Sequence, residues 1–530
     1  MTTHRASTAL AALSAAVAVA ALAGAVTPSA RADGPSARAS LPAPATSAPS
    51  VSPAPSTPSA PSAPSALDWK PCAVAGGPAA QECAELFVPL DYRDPDPDGP
   101  RVRLAVTRVR SDRPGERRGT LLVIPGGPGS SGVALVTGKG ERLQRETGGR
   151  YDVVSLDPRG VGGSTKASCG LAAEDRDLVH LRSWPAADGS ITENVARSRR
   201  TAEACVRNGG AMLRSLTTAN EVRDIDRFRQ ALGEEKLSAW GSSYGTYVGA
   251  VYAQKYPRHT DRWVLDSSGD PDPSRVNRGW MQNMARAVED RFPDFARWAA
   301  DPAREAEGLR LAREARDVRP LVLDLAARLD REPRQTTTPG VPLTGNRLRQ
   351  AVQMALYSDN AFPRLAELIR AAGDPAAEPV LPPGLDRPLS DQDAAVTIGV
   401  VCNDVRWPAS VPDYRRAVAI DRVKHPLTAG LPANITPCAF WKDTPADRPT
   451  RITDEGPSNI LMIQGLRDPS TPYFGALKMR EAFGDRARLV TVDHGGHGVY
   501  LGNGNACGDR AVTRFLTTGK RPGQDTYCAG

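Results

Sequence analysis

The chain is 530 residues long, and 67 basic against 60 acidic residues leave it a formal charge of +7. That length can bury a large core, and it exceeds one ordinary domain unless the domain carries an insertion. Arginine is spread along the whole chain, with no dense Lys/Arg block interleaved with aromatics, so the basic balance belongs to a solvated surface and argues against nucleic-acid binding.

His4 and Arg5 precede the apolar run "STALAALSAAVAVAALAGAV", and Ala30-Arg31-Ala32 then forms an A-x-A site with cleavage expected before Asp33. Residues 1–32 therefore read as a cleaved secretory signal: the run is long enough for an anchor, but it is mostly alanine and the cleavage signature follows directly. No cysteine lies near the site, which argues against a lipoprotein. No second long apolar stretch occurs, so the secreted product is expected to be soluble, without stable membrane association. Residues 33–66 are almost entirely Pro, Ser and Ala, a composition that cannot bury enough apolar surface to fold, and they read as a disordered linker or pro-segment.

Eight cysteines in an exported chain imply disulfides rather than metal ligands, and no pair has the close spacing of a zinc site. Sequence alone leaves the connectivity open. The cysteines fall into neighbouring couples, so local pairing is expected: Cys72 with Cys83, Cys169 with Cys205, Cys402 with Cys438, and Cys507 with Cys528.

From Glu85 strands and helices alternate. "ELFVPLDY" and "RVRLAVTRVR" read as an opening pair of strands, "GTLLVIPGG" as a buried strand entering a glycine-rich loop, and "YDVVSLDPRG" as the next buried strand. "NEVRDIDRFRQALG" is an amphipathic helix leading to a short strand at Leu237–Trp240. A helix at Thr246–Tyr256 and a strand in "DRWVLDSSGD" follow. This succession predicts a mostly parallel sheet covered by helices. Residues 271–408 then read as helical, in stretches such as "WMQNMARAVEDRFPDFARWAAD" and "FPRLAELIRAAG", before strands return in "SNILMIQG" and "RARLVTVDH". The expected organisation is a core in two parts, 67–270 and 409–530, with a helical cap inserted between the sixth and seventh strands.

The chemistry starts at Gly241-Ser242-Ser243-Tyr244-Gly245, which fits G-x-S-x-G with Ser243 at its centre and leaves Ser242 as filler. Such a strand-to-helix elbow exposes a serine hydroxyl on a strained backbone, and the hydroxyl then needs a base oriented by an acid. In the α/β-hydrolase order these follow as acid, then histidine. His497, flanked by glycines in "TVDHGGHGVY", is the expected base over His494. Asp468, just past a buried strand in "NILMIQGLRDPSTP", is the expected acid over Asp493. The oxyanion donors are expected to be the backbone N–H of Tyr244 and that of Gly127 in "LLVIPGGPGSSG", with Gly126 as the neighbouring alternative.

The loops "GGPG", "DPRGVGGS", "GSSYGT" and "GGHG" together resemble the proline iminopeptidase and tripeptidyl aminopeptidase branch of the α/β hydrolases, in particular the secreted, disulfide-bearing actinomycete enzymes. The resemblance covers roughly Leu67 to the C-terminus. Relatives often begin the oxyanion loop with histidine; Pro125 stands there in this chain, which leaves the backbone donor intact. Asp157 and Arg159 of "DPRGVGGS" read as braces for the loops around the elbow.

The resemblance implies an exported serine exopeptidase acting on peptides with a free N-terminus, tripeptides being the expected product, with a carboxylesterase as the alternative. A catalytically dead binding module would lack a triad member, and none is missing. No metal or organic cofactor motif is visible, and a monomer is the default. An exopeptidase needs an acidic anchor for the substrate amine, and "TIGVVCNDVRWP" presents Asn403 and Asp404 beside a disulfide cysteine, with Glu289 and Asp290 as rivals and a helix-capping Asp as the plain alternative.

Overall fold

Why the middle of the sequence forms strands is visible in its runs: Leu121–Ile124, Trp263–Leu265 and Ile460–Ile463 are buried at every position, as strands covered on both faces must be. The computed structural model describes residues 67–530 except Ala73, Ala75, Gly76, Pro95 and Gly504. The expected signal (1–32) and the Pro/Ser/Ala-rich segment (33–66) lie outside the described residues.

Among the described residues ten strands form one sheet: β1 (Lys70–Pro71), β2 (Gln81–Pro89), β3 (Arg101–Val109), β4 (Gly119–Ile124), β5 (Tyr151–Leu156), β6 (Leu237–Ser242), β7 (Thr260–Asp266), β8 (Ile460–Arg467), β9 (Ala487–Gly495) and β10 (Thr526–Cys528). Their order is β1-β2-β3-β5-β4-β6-β7-β8-β9-β10. The pairs β1/β2, β2/β3 and β3/β5 are antiparallel, and every later neighbour is parallel. The chain leaves β4 toward β5 on one side and β6 on the other, so the carboxyl ends of β4 and β6 border a crevice of the kind where ligands bind in such sheets.

One face of the sheet packs on Thr218–Ala231, Tyr244–Lys255 and Tyr473–Phe483, the other on Gly132–Glu146 and Ala506–Thr518. Between β7 and β8 come the helices Arg278–Ala300, Ala315–Arg331, Gly345–Ala355, Phe362–Gly373, Asp391–Asp404 and Val411–Lys424. The two-residue β1, too short to show in the sequence pattern, moves this insertion one place along in the strand count. The first four of these helices share a hydrophobic core that includes Phe292, Phe295, Leu325, Leu348 and Phe362. Asp391–Asp404 packs differently: Ala394, Ala395, Ile398 and Val400 join the core of the sheet. Helical structure continues past Pro408 to Lys424.

Disulfides join Cys72 to Cys83, Cys169 to Cys205, Cys402 to Cys438 and Cys507 to Cys528. Each contributes on the order of 2–4 kcal/mol by restricting the unfolded chain, and together they mark a protein of an oxidising, extracytoplasmic compartment. No helix of the described residues is long and apolar enough to cross a membrane.

Candidate active site

The candidate nucleophile sits where β6 turns into the helix Tyr244–Lys255. Ser243 holds φ +60° and ψ −126°, a region few non-glycine residues occupy. Its flanking glycines are a steric requirement. A Cβ at Gly241 would come within 2.5 Å of the Gly245 carbonyl oxygen, and one at Gly245 within 2.4 Å of that of Ile124. The Ser243 N–H donates to the Asp266 carbonyl at 3.0 Å. Its own carbonyl accepts from the Thr246 N–H at 2.9 Å and the Thr246 hydroxyl at 2.6 Å. Ser242 is the last residue of β6, in register with Asp266.

Acid and base arrive from two further strands. Asp468 follows β8 with its side chain fully buried; Oδ1 accepts the N–H groups of Ser470 at 2.8 Å and Thr471 at 2.9 Å, and Oδ2 accepts the Thr471 hydroxyl at 3.0 Å. His497 follows β9, and its Nδ1 lies 2.9 Å from Asp468 Oδ2 and 3.0 Å from Oδ1. Burial alone would depress the imidazole; the charge and hydrogen bond of Asp468 outweigh it, with a smaller push from Asp266, so His497 titrates above the usual 6.5. The alternatives lie apart. His494 turns to the Gly495 carbonyl and, at 3.8 Å, to Asp359, while Asp493 pairs with Arg467 and Tyr527.

Sequence reasoning missed two neighbours of this pair. Thr471 could have been found from the turn chemistry of "DPST", where an Asp oxygen accepts the N–H groups two and three residues on. Tyr357, in the insertion, had no signal: its carbonyl accepts the His497 N–H at 2.8 Å, its ring meets the imidazole edge-on at 5.0 Å between centroids, and its hydroxyl donates to Ser470 Oγ at 2.9 Å.

The loop leaving β4 closes the other side of the elbow. A Cβ at Gly126 would come within 3.0 Å of Ser243 Cβ and 2.9 Å of the Ser242 carbonyl oxygen, so the Gly126–Gly127 peptide runs against the turn. Gly127 follows with φ +111°. Tyr244 opens its helix, and its N–H is among the terminal donors without an intrahelical partner. Asp157 secures the loop by accepting from the Ser131 hydroxyl at 2.6 Å, the Val133 N–H at 3.0 Å and the Gly163 N–H at 2.8 Å. Arg159 grips Asp224 with two nitrogens and donates to the carbonyls of Pro89 and Leu90.

The expected anchors fare unequally. Asn403 is buried; its amide donates to the carbonyls of Leu213 at 2.8 Å and Leu216 at 3.0 Å, and its Oδ1 accepts the Trp441 indole N–H at 2.9 Å. With both ends of its amide engaged, Asn403 is corrected from a substrate contact to a structural residue. Asp404 accepts the N–H of Thr218 at 2.9 Å and its hydroxyl at 2.6 Å, and burial pushes its carboxyl up to about 6 against those bonds. Beside it lies Glu221, which the sequence did not single out. Glu221 is 6% exposed; Oε2 accepts the Tyr244 hydroxyl at 3.2 Å, while Oε1 has no hydrogen-bond partner among the described residues. Burial pushes this carboxyl up to about 8. Glu221 lines a small cavity with Pro128 and Gly129 of the β4 loop and Val396 of Asp391–Asp404. The rivals are engaged elsewhere: Glu289 pairs with Arg319 and the Leu427 N–H, and Asp290 with Arg286.

Residues 428–528 match the family of TAP-like proteins. Over 485 residues the chain is 34% identical to the tripeptidyl aminopeptidase of Streptomyces lividans, an alignment covering 87% of this chain and 86% of that protein. It is 28% identical over 495 residues to a serine protease of Mycobacterium tuberculosis, covering 87% of this chain and 91% of the other. Among solved structures it resembles proline iminopeptidase from Mycobacterium smegmatis, with 16% identity, a TM-score of 0.36, and coverage of 82% of this chain and 97% of that one. A third of positions identical over most of both chains places the protein in the tripeptidyl aminopeptidase family of α/β hydrolases, as a serine hydrolase.

Proposed function

We propose that the chain is an exported serine exopeptidase that releases short peptides, tripeptides foremost, from free N-termini through an acyl-enzyme. The observation that carries this reading is the Asp468–His497 pair at 2.9 Å, held past the ends of adjacent strands, with the loop after His497 and the strained Ser243 both bonded to Asp266. His497 Nε2 takes the proton of Ser243 Oγ as the oxygen attacks the scissile carbonyl, and Asp468 holds the proton on Nδ1. The oxyanion receives the N–H groups of Gly127 and Tyr244. His497 then gives its proton to the departing amine, the peptide bond breaks, and a water activated by the same histidine hydrolyses the ester. Catalytic hydrogen bonds of this kind commonly tighten as substrate docks, and the Ser243–His497 bond of this mechanism is expected to do so.

Specificity for a free amine is supported by the two linked carboxyls. Thr218 bonds both Asp404 and the Tyr244 hydroxyl, which bonds Glu221, so an ammonium placed at the unpartnered Oε1 would complete the set. Asp404 is the second carboxyl of the anchor, and a bound ammonium would favour the ionised form of Glu221. Export through the signal at 1–32 agrees with the four disulfides. The test is turnover of a tripeptide anilide, its N-acetylated form and a short acyl ester by the purified enzyme. The free tripeptide is expected to be cleaved fastest; efficient cleavage of the acetylated peptide rules out the exopeptidase, and preference for the ester makes the enzyme a carboxylesterase.

A further inference from the structure

In this sheet the three triad residues stand on three different strands, and the base is on the far one. Ser243 follows β6, Asp468 follows β8 and His497 follows β9, so the base loop has to return across β8 and β7 to reach the serine. What catches it is the end of β7, the strand that carries no triad member. The Asp266 carboxylate accepts the Val499 N–H on Oδ1 at 2.8 Å and the Tyr500 N–H on Oδ2 at 2.9 Å. The neighbouring Ser267 hydroxyl oxygen accepts the Gly498 N–H at 2.9 Å. Three consecutive amides directly after His497 are thus bound to two side chains.

The same two residues hold the other members. The Asp266 carbonyl accepts the N–H of Ser243 at 3.0 Å. The Thr471 hydroxyl shares its one proton between the Ser267 carbonyl at 2.9 Å and Asp468 Oδ2 at 3.0 Å, while the Thr471 N–H donates to Asp468 Oδ1. Both residues are 0% exposed, and Ser267 has φ +63°, a conformation unusual for a residue with a side chain. The Trp240 indole N–H and the Ser267 hydroxyl supply the carboxylate's remaining donors, at 3.3 and 3.1 Å. A buried carboxylate with donors on all sides is a rigid fixture rather than a reacting group.

We propose that the Asp266–Ser267 corner is the positioning element of the active site: it sets nucleophile, acid and base in one register, and without it the fold survives while the triad loses alignment. The proposal rests on Ser243, Asp468 and His497 being the triad. A displacement of about 1 Å in such a site costs on the order of a hundredfold in rate.

The experiment measures kcat and KM for a tripeptide anilide in Asp266→Asn and Ser267→Ala, normalised to the active sites titrated by a fluorophosphonate, with thermal melting recorded for each. Asp266→Asn replaces one acceptor by an amide that opposes a loop N–H, and kcat per titrated site is expected to fall about ten- to a hundredfold with KM within about twofold. Ser267→Ala loses the Gly498 bond and the hydroxyl's own bond to Asp266 but keeps the carboxylate on Val499 and Tyr500, and a smaller fall, a few-fold, is expected; it also serves should Asp266→Asn fail to fold. Unchanged kcat per titrated site in Ser267→Ala and in any folded Asp266→Asn, with only the titratable fraction or the melting temperature reduced, overturns the proposal. Full activity in Ser243→Ala would instead overturn the triad itself, so the two failures are distinct.

Discussion

Asp266 and Glu221 are both buried carboxyls, each bonded to a residue of the elbow, and the fold treats them in opposite ways. Asp266 bonds Ser243 through its carbonyl, and its carboxylate has four donors on two oxygens. Glu221 bonds Tyr244 and keeps one oxygen without a partner among the described residues. An unmet buried polar atom costs roughly 1–3 kcal/mol, a cost a chain could remove by placing glutamine or leucine there. The contrast separates two states of buried acid: the satisfied one is the positioning element proposed above, and the unsatisfied one is the anchor proposed for the substrate amine.

The comparison presupposes that both acids surround a reacting Ser243, and the largest expected effect tests that. Ser243→Ala should lose on the order of 10⁶ in turnover, as members of such a unit do, with thermal melting retained. Ser242→Ala should keep most activity. Labelling by a fluorophosphonate followed by peptide mapping identifies the serine independently, and a label on Ser242 would shift the elbow by one residue.

The base comes next. His497→Ala should be inactive and His494→Ala active. In the unmodified enzyme kcat/KM should rise with pH as His497 loses its proton, with a midpoint above 6.5 because Asp468 outweighs the effect of burial. Asp468→Asn removes that favourable charge, so the residual activity should titrate at lower pH. A midpoint that stays in place would show that Asp468 does not set the protonation of His497.

The smallest effects sharpen the open side of the contrast. Glu221→Gln and Asp404→Asn should each lower kcat/KM for free tripeptides about ten- to a hundredfold, the worth of a charge-assisted bond, and leave acetylated peptides and esters nearly unchanged. Equal loss on every substrate would make the cluster structural. Glu221 also leaves a mark on stability. The folded state keeps its proton up to about pH 8 while an unfolded glutamate releases it near 4.5, so the folded state binds more protons in that window and stability falls as pH rises. Melting temperatures measured from about pH 5 to 8 should therefore fall less in Glu221→Gln than in the parent. Parallel slopes would mean that Glu221 ionises as an exposed glutamate does.

What the sequence revealed depends on how far apart the interacting residues lie. The elbow is a contiguous signal, and Asp468 and His497 are readable because chain order in this architecture restricts where acid and base fall. Buried strands such as "LLVI" and "ILMI" announce themselves by composition. The Asp266–Ser267 corner and Glu221 lack such a signature: Asp266 meets Val499 across 233 positions, and Glu221 opens on a loop that the fold alone brings near. Asn403 was misread for a related reason. The helix Asp391–Asp404 follows four helices of the insertion but packs into the core of the sheet, which turns Asn403 inward onto Leu213 and Leu216.

The carbonyl of Tyr357 that receives the amide of His497 ties the history of the insertion to that of the reaction. A graft of the insertion could be imagined as a change of specificity alone. Here a graft from another enzyme would also remove a hydrogen bond from the histidine loop. A chimera between family members should therefore carry the turn at Tyr357–Ser358 from the parent that supplies "DHGGHG", and treat that turn as belonging to the sheet.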